Sequence, residues 1–454
     1  MTSTDYLDRL ARLVAGTRCA DLRESTVAAA KAVTLDTLGA ILAGSRLPQN
    51  AKLAALAAAR SGTKSAALIG HAERAEPMFA ALANTTAGVS LEMDEGNRWG
   101  GGHPAIHVLP AALAVAEELA AAGPQFLEAL VAGYEVVTRI GGATRLRPNV
   151  HAHGTWGTLG AAAAVARLER LDAAAVRAAV NLAGSMSPAN TWTPCFEGAT
   201  IRDVYAGRAG LQGILAVHLL GCGFTAVRDA PGDVYGTILA DEFDPSAAVE
   251  GLPLDGLPDT FRIERNYFKF HACCLYNHPA LDAVGALVRE HRLTPDAVAR
   301  VAVTSIPFVE RMADPEPPAM LAAKFSVPYA VAAAIVLGRT DVTAFVDDAR
   351  TDARVRDLAR RVDVRGDASM ALRASDRPTA RVAVTLRDGR TLERETRVIH
   401  GDAANPPARE ELIEKFACLA TDVIGKERVA DVVALVDRLD RVADVRELTA
   451  LVAG

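Results

Sequence analysis

Three histidine-bearing segments break an otherwise alanine-rich sequence, and they hold most of the side chains that could do chemistry. The first runs Glu92-Met93-Asp94-Glu95-Gly96-Asn97-Arg98-Trp99-Gly100-Gly101-Gly102-His103-Pro104. Glycines there allow the backbone to approach a ligand closely, and free N–H groups at a helix start can face an anion. The alternative for this stretch is a solvated loop with acidic residues near a cap. The second segment is His151-Ala152-His153-Gly154-Thr155-Trp156-Gly157. Histidines two residues apart point to opposite sides of an extended chain, so one can face a cleft while the other packs. They make a poor metal pair. The third is Phe268-Lys269-Phe270-His271-Ala272-Cys273-Cys274-Leu275-Tyr276-Asn277-His278-Pro279. A lysine between phenylalanines suits partial burial with a lowered pKa, or ordinary snorkelling.

What is missing narrows the chemistry. No P-loop, strand-GxGxxG-helix, GxSxG elbow, HExxH or CxxC spacing occurs, so no cofactor and no metal is expected. The pattern of His, Lys, Arg and carboxylates suits acid–base work beside a carboxylate, with cations stabilising the enediolate that develops. A net charge of -6, with 5% aromatic residues, excludes a basic nucleic-acid face. The six cysteines include one adjacent pair, Cys273-Cys274, which suits neither a disulfide nor one tetrahedral site; a reducing, cytoplasmic setting is expected. Residues 1–16 are charged throughout and lack an apolar signal core. The uncharged run Ala209 to Val227 reads as a buried helix and not a membrane span, since it carries Gln212, His218 and several glycines.

Periodicity predicts the scaffold. Helices are expected over Glu24–Leu42 with Gly44 as a stop, Pro104–Ala122, Gln125–Ile140 after the Gly123-Pro124 breaker, Thr155–Leu168, Asp172–Gly184 with Asp172 as N-cap, and Ala206–Leu220. After about Asp255 the texture changes. Strands are expected over Arg300–Ile306, Val362–Val364, and a hairpin of Arg381–Leu386 and Arg390–Thr396 with a primed turn at Asp388-Gly389. Helices Pro279–His291 and Val327–Leu337 lie between, and the tail Ala408–Val452 returns to helix. The fold class is therefore mostly α with an α+β part. A large helical domain of residues 1–265 and 400–454 would enclose a smaller α+β domain of residues 266–399.

Seven segments in order carry a resemblance: LDTLGAILAG, MDEG followed by GHPAIHVLPAALAVAEE, LVAGYEVVTRIG, HAHGTWGTLGAAAAVARL, YAGRAGLQG, KFHACCLYNHPALDA and KFSVPYAVAAAIVLG. From about Leu35 to Phe416 the chain resembles the MmgE/PrpD family. The resemblance implies a large all-helical domain with a smaller α+β lid, a homodimer formed through the helical domain, and a metal-free site in the cleft. The implied catalytic residues are His151, Lys269, His103 and Asp94; Arg202, Glu92, Arg98, His153, Thr155 and Tyr276 are expected to bind substrate. His151 is expected to be the neutral base, Lys269 to meet the substrate from the opposite side, and Arg202 to hold a carboxylate. Departures are visible: VSLEMDE stands for the usual HALDFDD, and Arg202 stands for the usual lysine five residues before the glycine of YAGRAG. Arginine keeps a fixed charge and a planar fork, which suits carboxylate binding and not proton transfer.

The implied function is a cofactor-independent lyase, dehydrating or decarboxylating a methylcitrate-, aconitate- or related acid by proton abstraction alpha to a carboxylate. Epimerization of a dicarboxylate through the same carbanion is the alternative. A catalytically inactive, ligand-binding helical dimer is the second alternative. The expected partner is a small polycarboxylate, with no nucleic acid and no membrane.

Overall fold

The computed structural model describes residues 5–370 and 378–454, so residues 1–4 of the N-terminal stretch and residues 371–377 of the expected smaller domain lie outside the described residues. The principal helices of the first part are α1 (Tyr6–Gly16), α2 (Glu24–Ser45), α3 (Pro48–Arg60), α4 (Pro77–Val89), α5 (Pro104–Glu118), α6 (Gly123–Gly142), α7 (Gly157–Leu168), α8 (Ala173–Ser185) and α9 (Ile201–Gly221). Helix α5 runs through the centre: Pro104 through Glu117 are all buried. Such a helix is apolar all round, which is what its sequence shows. Helix α2 is long and apolar enough to cross a membrane, but it packs inside the bundle, with Val33, Leu35, Leu38, Ile41 and Leu42 buried.

Several boundaries differ from expectation for local reasons. Gly44 does not stop α2: a Cβ there would lie 1.9 Å from the Ala87 carbonyl oxygen, so glycine lets α2 cross α4 at backbone contact. Gly123-Pro124 opens α6 instead of separating two helices, because proline fits the first turn, where no N–H partner is needed. Asp172 caps α8 as expected, accepting from the Ala175 N–H at 2.9 Å. The small-residue stripe of α9 is consumed inside the chain: a Cβ on Gly207 would lie 2.1 Å from Thr86, and one on Gly213 2.4 Å from Ala161.

The second part holds α10 (His278–His291), β1 (Val298–Ser305), α11 (Val327–Leu337), β2 (Val362–Gly366), β3 (Ala380–Leu386) and β4 (Thr391–Thr396). The sheet order is β4-β3-β1-β2, with β1 and β2 parallel and the other pairs antiparallel. One face carries Val301, Val303, Val382 and Val384 into a core shared with Leu281, Val284, Val331 and Ile335. Each such burial contributes about 1.5–3 kcal/mol. The hairpin turn is not the expected primed pair. Gly389 N–H bonds to the Leu386 carbonyl and Leu386 N–H to the Arg390 carbonyl, and of the turn residues Gly389 alone has positive φ (91°). That is a three-residue loop closed by a left-handed glycine.

The tail helix α12 (Arg409–Asp437) returns to the first part and is broken at Gly425 (φ 79°, ψ 158°). It lies on α2. Phe416 covers Gly39, and the Lys415 ammonium meets Asp36 at 2.5 Å. A short antiparallel pairing of residues 96–97 with 266–267 joins the glycine-rich loop to the entry of the second part. Gly96 is required there, since any Cβ would strike the Tyr267 hydroxyl at 2.2 Å.

Candidate active site

The acidic segment leaves the C-terminus of α4 and is pinned on both sides of one residue. Lys324 donates to the Leu91 carbonyl at 2.9 Å and to the Ala272 carbonyl at 3.0 Å. Lys415 donates to the Met93 carbonyl at 2.8 Å. Between these anchors Glu92 adopts φ +55°, a left-handed conformation that costs a non-glycine residue about 1–3 kcal/mol and persists where surrounding contacts enforce it. Three distant stretches of chain thus aim one carboxylate. Burial, with Lys269 nearby and Glu92 partly offsetting it, brings the Lys324 ammonium down to about 8.

Glu92 sits between two buried cations. Its Oε1 lies 2.5 Å from Arg202 Nη2, and its Oε2 accepts from Lys269 Nζ at 2.9 Å. Asp94 continues the chain of charges, with Oδ1 3.6 Å from Lys269 Nζ and Oδ2 3.1 Å from His103 Nδ1. Burial works to raise the Glu92 carboxyl, but Arg202 and Lys269 outweigh it and hold the group below the usual carboxylate range. Burial likewise opposes the charge on Lys269, yet Glu92 and Asp94 raise that ammonium, so it stays protonated. Neither reading of Lys269 offered by the sequence, a lowered pKa or ordinary snorkelling, describes it: the ammonium is fully buried and raised by two carboxylates that sequence distance hides.

Four histidines meet at the same end, and their hydrogen-bond partners fix their tautomers. His103 Nδ1 lies 2.7 Å from the Glu95 carbonyl oxygen, which can only accept, so Nδ1 carries a hydrogen and, in the neutral ring, the lone pair belongs to Nε2. His107 Nδ1 donates to the His103 carbonyl at 2.7 Å, and its Nε2 accepts from the Gly154 N–H at 3.0 Å. His151 Nδ1 accepts from the His153 N–H at 3.0 Å, which leaves the hydrogen on a buried, unpartnered Nε2. His153 Nε2 faces the Arg202 fork at 3.4 Å, which leaves the hydrogen on a buried, unpartnered Nδ1. Burial first, and Arg202 second, push both His151 and His153 well below the usual imidazole value, so both rings are neutral at pH 7. Burial lowers His107 to about 4. Among the described residues of this quartet, His103 alone keeps an uncommitted ring lone pair beside the cavity.

The cavity itself has a volume of about 650 Å³ and lies between the two parts, reached by Glu92, Arg98, His103, His151, His153 and Arg202 from the helical side and by Tyr267, Tyr276 and Phe308 from the other. Several expectations need correction. Lys269, expected to meet the substrate from the opposite side, is fully buried behind Glu92 and does not line the cavity. Asp94 is also off the wall and reaches the cavity through His103. Thr155 spends its hydroxyl on the Ala152 carbonyl one turn away and does not face the cavity. Arg98 lines the cavity but is ion-paired to Asp402 at 2.9 Å. The N–H groups of Gly100, Gly101 and Gly102 bond to Asn97 Oδ1, the Arg98 carbonyl and the Asn97 carbonyl, so they face no anion. His271 and His278 of the third segment bond to Thr340, Asp282 and the Cys273 carbonyl.

Glu95, grouped above with the acidic residues, is a positioning residue. Its Oε1 accepts from the Ala105 N–H at 2.7 Å and its Oε2 contacts the Tyr134 hydroxyl at 3.0 Å. Burial pushes this carboxyl up to about 8. The native state then binds more protons than the unfolded state between about 4.3 and 8, so this contribution is complete below the unfolded value and fades as pH rises through 8. Denaturant titrations between pH 5 and 9 should show a downward slope that Glu95→Gln flattens; an unchanged slope would assign Glu95 no such role. Residues not singled out from the sequence are His107, Tyr267, Trp192, Phe308, Lys324 and Lys415. A histidine on an apolar helix face and lysines bonded to carbonyls leave no local pattern to find. Among the described residues no group of three or more His, Cys, Asp or Glu side chains is arranged to hold a metal ion.

Comparison with known proteins meets this geometry from the other direction. Residues 8–240 match the MmgE/PrpD N-terminal domain and residues 271–441 the MmgE/PrpD C-terminal domain. The chain is 26% identical to the cis-aconitate decarboxylase of Mus musculus, covering 98% of this chain and 93% of the relative. It is 26% identical to a cis-aconitate decarboxylase-like protein of Aspergillus oryzae, covering 96% and 94%. For the cis-aconitate decarboxylase of Aspergillus terreus the values are 24%, 95% and 92%. The two domain models follow one another over most of the chain, the order of elements agrees with the texture of the sequence, and the histidine-bearing segments converge on one cleft: the protein belongs to the MmgE/PrpD family.

Proposed function

We propose that the protein is a lyase acting on an aconitate-like di- or tricarboxylate, with His103 as the group that moves the proton. The observation that carries this reading is the His103 ring: Nδ1 is held by the Glu95 carbonyl and faces Asp94, while Nε2 is left for the cavity. A neutral His103 can take a proton from the carbon alpha to a carboxylate. The imidazolium that forms is balanced by Asp94, and the same nitrogen can return the proton. His151 is assigned the donor's part instead of the base's, because its free nitrogen already carries hydrogen. His151 Nε2–H, His153 Nδ1–H and the Arg202 guanidinium then hold the carboxylate on which charge develops. The two ring N–H groups are buried and unpartnered, which costs about 1–3 kcal/mol each, whereas Arg202 is already held by Glu92.

The names of the relatives favour decarboxylation as the outcome. There no carbon-bound proton is removed first: the C–C bond to one carboxylate breaks, CO2 leaves without its bonding electrons, and the carbanion, conjugated with a remaining carboxylate, takes a proton from a His103 that enters the cycle as the imidazolium, its proton drawn from solvent. Incubation of the purified protein with cis-aconitate should release CO2 and form an unsaturated diacid. A panel of citrate-type and hydroxylated acids tests dehydration in parallel. Absence of turnover, together with absence of thermal stabilisation by any acid of the panel, would contradict the reading.

Arg202 serves binding. Its guanidinium meets Glu92, donates to the Val89 carbonyl at 3.3 Å and lines the cavity. Arg202→Lys keeps the charge and loses the fork, so KM should rise about tenfold while kcat stays within about threefold. Steady-state kinetics checks this; a collapse of kcat at constant KM would assign Arg202 to the chemical step.

A further inference from the structure

The cavity offers more room than an unadorned tricarboxylate fills, and part of its lining is aromatic. Such an acid has about 12 non-hydrogen atoms, and even at ~30 Å³ each, the share of a liquid water, it fills about 360 Å³. The cavity is about 650 Å³. The surplus space has a particular lining. The Trp192 ring packs on His151 at 4.0 Å between centroids, Phe308 on Trp192 at 4.9 Å and Tyr276 on Phe308 at 5.1 Å. This wall begins at the anion-holding end and runs away from it. Trp192, Leu275, Tyr276 and Phe308 are each only half-buried, so their apolar surface is left open inside the cleft. Arg311 fixes the wall in place: its guanidinium lies 5.3 Å from the Phe308 ring centre and donates to the Pro148 carbonyl at 3.0 Å.

We propose that the substrate is an aconitate-like acid bearing an apolar arm of several carbons, with its carboxylates at Arg202 and the histidines and its arm along Trp192, Leu275, Tyr276 and Phe308. The proposal rests on the lyase reading above and narrows its substrate class. Burying each methylene of the arm is worth about a fourfold gain in kcat/KM.

The test is turnover by the wild-type protein of cis-aconitate and of aconitates carrying butyl or hexyl chains on the carbon backbone. The expected result is that kcat/KM for the butyl compound exceeds that for cis-aconitate by at least about fiftyfold. Phe308→Ala should lower the ratio of butyl to parent kcat/KM by about tenfold; since the wild-type series stands alone, a variant that fails to fold does not shield the proposal. If cis-aconitate is the best substrate and alkylated acids are slower, the arm is overturned and the lyase reading stands. If neither series is turned over or stabilises the protein thermally, both are overturned.

Discussion

His103→Ala should lower kcat on an aconitate-like acid by about a hundred- to ten-thousandfold, the usual contribution of one positioned acid–base group, with KM changed far less. His103 lies at the N-cap of α5, with its ring between the Glu95 carbonyl and the cavity, so truncation removes the proton carrier without disturbing Arg202 or Glu92. Asp94→Asn should be milder, at about ten- to a hundredfold. In a Ser-His-Asp triad the carboxylate alone fixes the histidine tautomer, and losing it costs about ten-thousandfold. Here the Glu95 carbonyl fixes the tautomer independently, so only compensation of the imidazolium is lost. Single-turnover kinetics of the two variants separates these roles. Near-normal kcat in His103→Ala, or an Asp94→Asn defect larger than that of His103→Ala, would defeat the assignment.

The second large effect concerns stability. Glu92→Gln should lower the unfolding free energy by about 3–5 kcal/mol, because it leaves two buried cations, Arg202 and Lys269, without the carboxylate between them. The whole pair need not stabilise the fold; breaking it on one side is what is costly. The same carboxyl gives a pH dependence with a definite sign. Its folded value is depressed, so its contribution is complete above the unfolded value of about 4.3 and is lost as pH falls below it toward the lower folded value. Urea unfolding at pH 7 and across pH 3–5, at fixed protein concentration, reads both effects. A Glu92→Gln midpoint equal to wild type would mean that the cations find other partners.

Much of this was legible in the sequence and some was not, for physical reasons. Helix positions follow from periodicity and caps, as Asp172 shows, and the strands β1, β3 and β4 follow from alternation. Boundaries slipped where tertiary contact overrides a local rule, as when Gly44 serves a helix crossing. The histidine and acidic segments were visible as chemistry because their residue types have no packing purpose. Their division of labour was not visible. The tautomers of His103 and His151 are set by a backbone carbonyl and a backbone N–H, and no residue identity encodes which atom a ring will meet. Lys269 illustrates the same limit: the flanking Phe268 and Phe270 argue for a lowered pKa, whereas Glu92, 177 residues earlier, decides it.

Proton NMR of cis-aconitate turnover in deuterated water bears most directly on proton transfer by His103 in a lyase reaction. A histidine nitrogen exchanges with solvent, so the wild-type protein should release one CO2 per product and place a single solvent deuterium on the product carbon, and His103→Ala should do so at least about a hundredfold more slowly. No conversion of cis-aconitate or any alkylated relative, or full-rate labelled product from His103→Ala, would contradict it.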